Sequence, residues 1–478
     1  GIGRTGHIGF NEPGSNYSSM TRLVNLDYVT RNDARKAFSG IEHVPSKAIT
    51  MGIKTIKNSK RIVLLAWGLN KAEIIKKTIE GSIDSNISAS FLQKHKNVTF
   101  VLDNASASQL TRIQSPWKVG SPSLSKELKA KAIVWLCKKT NKSILNLTES
   151  DYNENNLSDL LINQSAYEIN LEVFNKIDRS ITGWPGGKPN VDDQYRPERS
   201  NPRKKRVLIF SPHPDDDVIS MGGTFDRLVS QGHEVHIAYQ TSGSIAVNNS
   251  DVLKFLEVFS DISEKAKKDY SIDINILKKS NDILENKNIR NLAALIREKE
   301  SLAATRFIGV PDQNVHFLKL PFYETGSIKK SNPTKSDFKI IENIISKIKP
   351  HQIYAAGDLA DPHGTHKVCL DILFDVLKII KKKKFMKDCW VWLYRGAWHE
   401  WEVHEIDMSV PMSPNQVLKK RKAIFYHQTQ KDNVMFQGDD NREFWVRTED
   451  RNRLIAKTFR DLGMSDFSAI ETFKRYHF

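Results

Sequence analysis

From residue 204 onward, short unbroken apolar runs alternate with stretches in which apolar residues recur every three or four positions. Val207–Phe210 is a run of four, and Val218–Gln231 then places Met221, Phe225 and Leu228 on one face. Val235–Gln240 is a second run, Leu292–Phe307 a helical stretch and Val315–Leu318 another run. Phe338–Ile348 reads as a helix leading into Gln352–Ala356, Thr365–Ile380 as a helix and Trp390–Tyr394 as the next strand. Apolar runs separated by amphipathic helices predict strand–helix–strand repeats, hence an α/β fold with a mostly parallel sheet covered on both faces. The charged stretch 251–290 is expected to be helix and loop, in part an insertion.

Earlier in the chain the pattern is shorter and more broken. Ile62–Ala66 is a strand-like run, and Ser123–Lys139 reads as a helix with Leu124, Leu128, Ile133 and Leu136 at helical spacing. A more polar helical stretch follows over Asp151–Lys176. Between Gly183 and Arg206 lie four prolines and three glycines without periodicity, which predicts an exposed linker. The expected division is a first domain over 1–110, a helical connector over 111–182, a linker over 183–203 and a second domain over 204–478.

Length and charge add bounds. A chain of 478 residues suits two or three domains. The net charge of +16 raises a nucleic-acid reading, but the basic runs Arg203–Arg206 and Lys381–Lys384 fall in the linker and at a helix end. Neither interleaves aromatics for base stacking, so no nucleic-acid partner is expected. No apolar run reaches the roughly 18 residues of a membrane span, and no membrane partner is expected. The three cysteines Cys137, Cys369 and Cys389 lack metal or disulfide spacing, which fits a reducing, cytoplasmic setting. The opening GIGRTGHIGF reads like the middle of a protein rather than a leader, so a fragment is expected.

The chemistry concentrates at two strand ends. SPHPDDD (211–217) follows Val207–Phe210, and GDLADPHGTH (357–366) follows Gln352–Ala356. His213 and Asp216 are spaced to reach one metal ion from a single turn, leaving Asp215 free to act as a base. Helix capping by the aspartates is the bland alternative. The second cluster supplies Asp361, His363 and His366. One histidine from each cluster plus a carboxylate makes the three protein ligands of a catalytic zinc, with a fourth position for water. Carboxyl ends of parallel strands are where such folds bind ligands. No GxGxxG follows the first strand, which argues against a dinucleotide.

HPDDD after an apolar strand with a later H-x-x-H resembles the PIG-L/LmbE family of zinc-dependent N-acetylglucosamine deacetylases. The resemblance extends over IREKESLAATRFIGV with Arg297 and Glu300, over VHFLKLPF, and over KAIFYHQTQ with His427 and Gln430. It covers roughly 204–478. It implies Zn2+ held by His213, Asp216 and His366, with Asp215 as general base and His363 stabilising the oxyanion. Arg297 and His427 become substrate-site residues, although a buried structural role for His427 stays open. Asp217 stands where the family more often has Glu, at a position that is not a ligand. The aromatic group Trp390, Trp392, Tyr394, Trp398 and Trp401 is either sheet-edge packing or a sugar-stacking wall.

Residues 1–110 carry a second resemblance, through GIGRTGHIGFNEPGS, TRLVNLDYVTRNDARKAF, VPSKAITMGIKTI, RIVLLAWGLNKAEIIKKTIEG and FLQKHKNVTFVLD. These are similar to the C-terminal half of glucosamine-6-phosphate deaminase. The resemblance implies two Rossmann-like domains, the first incomplete and N-terminally truncated. His7, oriented by Glu12, would shuttle the ring-oxygen proton. Lys71 matches the phosphate-binding lysine, and Lys36 stands where the family carries an arginine, keeping the charge but losing the bidentate fork. Thr5 replaces an Asp or Asn beside the histidine, so His7 is expected to lose a polar partner. With the family's first half absent, no deaminase turnover is expected from this chain. The partner is a small aminosugar or aminosugar phosphate, and homo-oligomerisation is left open. A deacetylase making a free aminosugar and a deaminase consuming it would be consecutive steps. A deaminase-like part that only senses sugar phosphates is the rival.

Overall fold

Four short strands form in the unit made of Gly1–Ser125 with Tyr152–Ile162. They are β1 (Arg22–Asn25), β2 (Lys47–Thr50), β3 (Ile62–Ala66) and β4 (Val98–Leu102). β1 and β2 pair antiparallel, and β3 and β4 pair parallel, with Leu64 opposite Phe100. In place of one mostly parallel sheet, the described residues of this unit therefore hold a parallel pair and a separate antiparallel pair. Alternation along β3 is sharp. Leu64 and Ala66 are buried against Ile74 and Ile75 of the helix Ala72–Glu80, while Val63 and Leu65 are about half exposed.

The computed structural model describes all residues except 39, 192–200, 263–285, 326–329, 358–363, 397–398 and 432–441, and the side chains of 36 and 260–262. Its second unit comprises Lys126–Asp151 and Asn163–Phe478. Here seven strands make one sheet: β5 (Arg206–Ser211), β6 (Glu234–Tyr239), β7 (Val315–Phe317), β8 (Gln352–Ala356), β9 (Trp390–Tyr394), β10 (Met408–Met412) and β11 (Ala469–Tyr476). The order is β10-β11-β9-β8-β5-β6-β7, with β9 through β7 parallel and β10 and β11 antiparallel. The parallel strands are those the apolar runs predict.

β5 sits inside the sheet, and Val207, Leu208, Ile209 and Phe210 have no exposed surface. Burying each such side chain contributes about 1.5–3 kcal/mol, so the strand cannot slide by a residue without large loss. That fixes where its carboxyl end, and the polar cluster after it, emerges. From β5 the chain proceeds to β6 and β7 on one side. It then crosses to β8 and β9 on the other. The boundary between β5 and β8 is thus the topological switch point, where a crevice opens at the strand ends.

The stretch 111–182, expected as a connector, is divided between the units, and its two long helices belong with the second. The helix Ala166–Ser180 starts with a capping box of Ser165 and Glu168. Lys176 Nζ donates to the His404 carbonyl at 2.8 Å, and Thr182 N donates to the Ser409 carbonyl at 2.8 Å. The supposedly exposed linker is also corrected at its start. Pro185, Gly186 and Gly187 are buried, and the Pro185 carbonyl accepts from Gln352 Nε2 at 3.1 Å. A Cβ at Gly186 would lie 2.0 Å from His233 Nε2, so its glycine is a packing requirement. Among the described residues no helix is long and apolar enough to cross a membrane.

Candidate metal centre and active site

β5 ends at Ser211, and the helix Asp216–Ser230 begins five residues later. The turn between them is pinned locally. Ser211 Oγ donates to the His213 carbonyl at 2.6 Å and accepts from Asp217 N at 3.1 Å. This hands His213, Asp215 and Asp216 to the mouth of the crevice. His366 arrives from the other side of the switch point, in the first turn of the helix Thr365–Ile380 that follows β8.

His213, Asp216 and His366 converge. Asp216 Oδ2 lies 3.2 Å from His213 Nδ1 and 3.1 Å from His366 Nε2, and the two ring nitrogens are 3.3 Å apart. Donors about 2.0–2.1 Å from one tetrahedral ion stand roughly 3.3 Å from one another, so two imidazoles and a carboxylate at this spacing fit such an ion. Burial works against the Asp216 charge, but His366 and His213 outweigh it and hold the carboxyl far below its usual range.

Asp215 does not join the three donors. Its side chain faces Arg297, whose Nη2 is 3.2 Å from Asp215 Oδ2 and also donates to the Pro214 carbonyl. Burial raises the Asp215 carboxyl above the usual range, and Asp216, Asp217 and Glu300 push the same way, while Arg297 opposes. Its backbone is strained, with φ at +140° and ψ at −25°. Side chains rarely adopt such a conformation, and outliers of this kind cluster at working sites. Space for Arg297 comes from Gly243, four residues after β6. A Cβ there would meet Pro214 Cδ at 2.9 Å and the guanidinium at 3.4 Å.

His427 is fully buried, and neither ring nitrogen has a hydrogen-bond partner among the described residues. Burial pushes its pKa down to about 3, with Arg297 adding to the effect. The segment carrying it is tied to Glu300, which accepts from Thr429 N and Thr429 Oγ1, each at 2.8 Å. Arg297 and Glu300 lie one turn apart on the helix Lys287–Ile308, so a single helix face orients both the Asp215 side and the His427 side. Spacing alone did not reveal these ties, which join residues up to 129 positions apart. Asp217 turns away from the three donors and accepts from Tyr239 Oη at 3.0 Å.

His363 and Asp361 lie outside the described residues, as does Trp398. Trp392, Tyr394 and Trp401 are buried, with Tyr394 Oη donating to the Phe210 carbonyl at 2.7 Å and Trp401 Nε1 to the Leu393 carbonyl at 3.1 Å. That supports the packing reading of the aromatic group over a sugar wall.

In the first unit, His7 Nδ1 lies 3.1 Å from Glu12 Oε2 and 3.0 Å from Thr5 Oγ1. The expected loss of a polar partner is therefore corrected, because the Thr5 hydroxyl takes that place. Burial lowers the His7 pKa, against the pull of Glu12. Gly3 admits this arrangement, since a Cβ there would sit 2.0 Å from the His7 ring. Lys71 closes a short turn after β3, and burial lowers its pKa. The side chain of Lys36 lies outside the described residues.

Comparisons with known proteins bear on both parts of the chain. Residues 208–377 match the PIG-L family, described as GlcNAc-PI de-N-acetylase. A glucosamine-6-phosphate deaminase-like protein of Bacteroides thetaiotaomicron is 50% identical over 492 residues, spanning 100% of this chain and 74% of that protein. The glucosamine-6-phosphate deaminase of Clostridium novyi is 54% identical over 110 residues, 23% of this chain and 46% of the deaminase. This chain thus spans under half the length of that deaminase. Among solved structures, an N,N'-diacetylchitobiose deacetylase from Pyrococcus horikoshii aligns with a TM-score of 0.37 and 20% identity, over 57% of this chain and 84% of that one. The chain belongs to the family of the Bacteroides glucosamine-6-phosphate deaminase-like protein and joins a deaminase-like N-terminal segment to a PIG-L domain.

Proposed function

We propose that the second unit is a zinc-dependent N-deacetylase acting on an N-acetylglucosamine-type substrate. The observation that carries the reading is the meeting of His213, Asp216 and His366 at the β5–β8 switch point with Asp215 beside them. Those three residues would hold the ion. When bound, zinc supplies a Lewis acid for the acetyl carbonyl and lowers the pKa of a water. Asp215 removes a proton from the attacking water and later returns it to the leaving amine. Its buried setting makes it a stronger base than a solvated carboxylate. Arg297 holds that carboxylate in place. His427, neutral and with both nitrogens unengaged among the described residues, is assigned to a substrate hydroxyl or carbonyl through the family resemblance. His363 is assigned to the oxyanion through the family resemblance. The products are acetate and the free aminosugar.

For the first unit the reading is a glucosamine-6-phosphate deaminase type of site. His7 and Glu12 would move the ring-oxygen proton, and Lys71 with Lys36 would hold the phosphate. In a protein carrying the whole deaminase, the amine released by one unit would be the class of compound the other consumes, giving consecutive steps. Binding of sugar phosphate without turnover by the intact protein would favour a sensing role instead.

The test is acetate release from a panel of N-acetylglucosamine derivatives, with and without chelator, alongside bound-zinc content. Chelator-sensitive release is expected. Asp215→Asn should keep the metal and lose roughly 100-fold or more in rate. A variant that keeps full activity removes Asp215 from the mechanism.

A further inference from the structure

Lysines distant in sequence meet around one open hollow of about 630 Å3 in the first unit. Lys54, Lys57 and Lys60 come from the short helix Ile53–Lys57 and the turn after it, Lys94 and Lys96 from the segment before β4, and Tyr17 also lines it. No carboxylate lines the hollow, and neither His7 nor Lys71 does. None of the five lysines is paired with a carboxylate among the described residues. Three acidic groups of this unit are engaged elsewhere: Asp33 with Arg4, Glu73 with Lys77, and Glu80 with Thr111. Lys57 Nζ donates to Tyr17 Oη. The Lys57 and Lys94 ammonium groups lie 3.8 and 5.5 Å from the centre of the Tyr17 ring, itself packed edge-on to Phe91. Burial, and the nearness of Lys94, lower the Lys57 pKa.

Five like charges around one cavity repel, and an anion of matching multiplicity turns that repulsion into attraction. Lysine ammoniums are compact charges on flexible stems, with three donors each, which suits phosphate oxygens at varied positions. The volume lies within the range of small-molecule sites. We propose that this hollow binds a small molecule carrying two or more phosphate groups, at a place separate from the His7–Glu12 site.

The test is isothermal titration of the full chain with inorganic pyrophosphate at 150 mM salt, with orthophosphate as the weaker comparison. Pyrophosphate is expected to bind and to raise the melting temperature. Lys57→Gln with Lys94→Gln should weaken it at least about tenfold, since two charge-assisted contacts are lost. The exposed pair Lys60→Gln with Lys96→Gln should weaken it too, and serves if the first pair disturbs Tyr17 packing. Lys381→Gln with Lys382→Gln should leave affinity unchanged. Equal weakening by that distant pair reduces the effect to general surface charge. Undiminished affinity in both hollow variants, or binding of an oligonucleotide but not pyrophosphate, overturns the proposal.

Discussion

The helix that opens the candidate metal centre is broken, and the bonds that replace its missing turn can be tested. Asp216–Ser230 leaves helical geometry at Met221 (φ −136°, ψ 26°). The Ile219 carbonyl, which Gly223 N would reach in an unbroken helix, accepts instead from Thr448 Oγ1 at 2.7 Å. Gly223 N and Thr224 N turn to Glu471, at 3.0 and 2.6 Å. Glu471 is held by Lys420 Nζ at 2.8 Å, and Lys420 also donates to Asn452 Oδ1 at 2.9 Å. The two charged side chains are 1% and 0% exposed. Lys420→Met would leave Glu471 buried without its counter-charge, at a cost of about 3–5 kcal/mol. For a unit of this size that corresponds to a fall in Tm of about 4–7 °C by scanning calorimetry. An isolated buried pair is often repaired by replacing both members with apolar groups. Here Lys420→Met with Glu471→Leu should stay destabilised, because two backbone N–H groups lose their acceptor at about 1–3 kcal/mol each. A Lys420→Met protein melting within about 2 °C of wild type, or a double variant as stable as wild type, would refute this account.

Two further outcomes are expected. His233 is buried, and burial lowers its pKa to about 4. The unfolded chain therefore takes up this proton first, so its contribution is complete above about pH 6.5 and declines toward pH 4 by roughly 1.4 kcal/mol per unit. Melting profiles between pH 7.5 and 5 should show a shallower loss for His233→Gln, and an identical slope would exclude the assignment. Glu300→Gln should keep bound metal but lower kcat/KM roughly tenfold, because the amide cannot accept both bonds from Thr429 that seat the His427 segment. Unchanged kcat/KM would show that the seating is dispensable.

Much of the second unit is legible in its sequence, for a reason visible in β5. Strands buried on both faces must be apolar throughout, so β5, β6, β8 and β9 announce themselves as runs. β10 and β11 do not. They read MSVPM and AIETFKRY, and Glu471 within β11 is a polar residue whose partner, Lys420, lies 51 positions away. The meeting of His213, Asp216 and His366 was legible because His and Asp clusters at two strand ends stood out against the apolar runs, and the family resemblance picked His366 from the second cluster. The grip of Arg297 on Asp215 was not legible as geometry, because it spans a fold rather than a motif. The basic hollow was hidden likewise: Lys54–Lys60 and Lys94–Lys96 look like scattered surface charge until the chain brings them together. Pro185–Gly187 misled by composition, since small residues that suit an exposed linker also suit close packing against His233.

The strained backbone at Asp215 bears on how this kind of chain changes over generations. At φ +140° the conformation is one that glycine alone adopts without cost, and strain of this kind is on the order of 1–3 kcal/mol. A glycine at 215 would relieve that strain but leave the buried Arg297 guanidinium without its carboxylate, at a cost of about 3–5 kcal/mol. Backbone and ion pair therefore pull this position in opposite directions, and the ion pair is the stronger. Positions 215 and 297 should change together in related sequences: a glycine at 215 is expected only where 297 has also lost its charge.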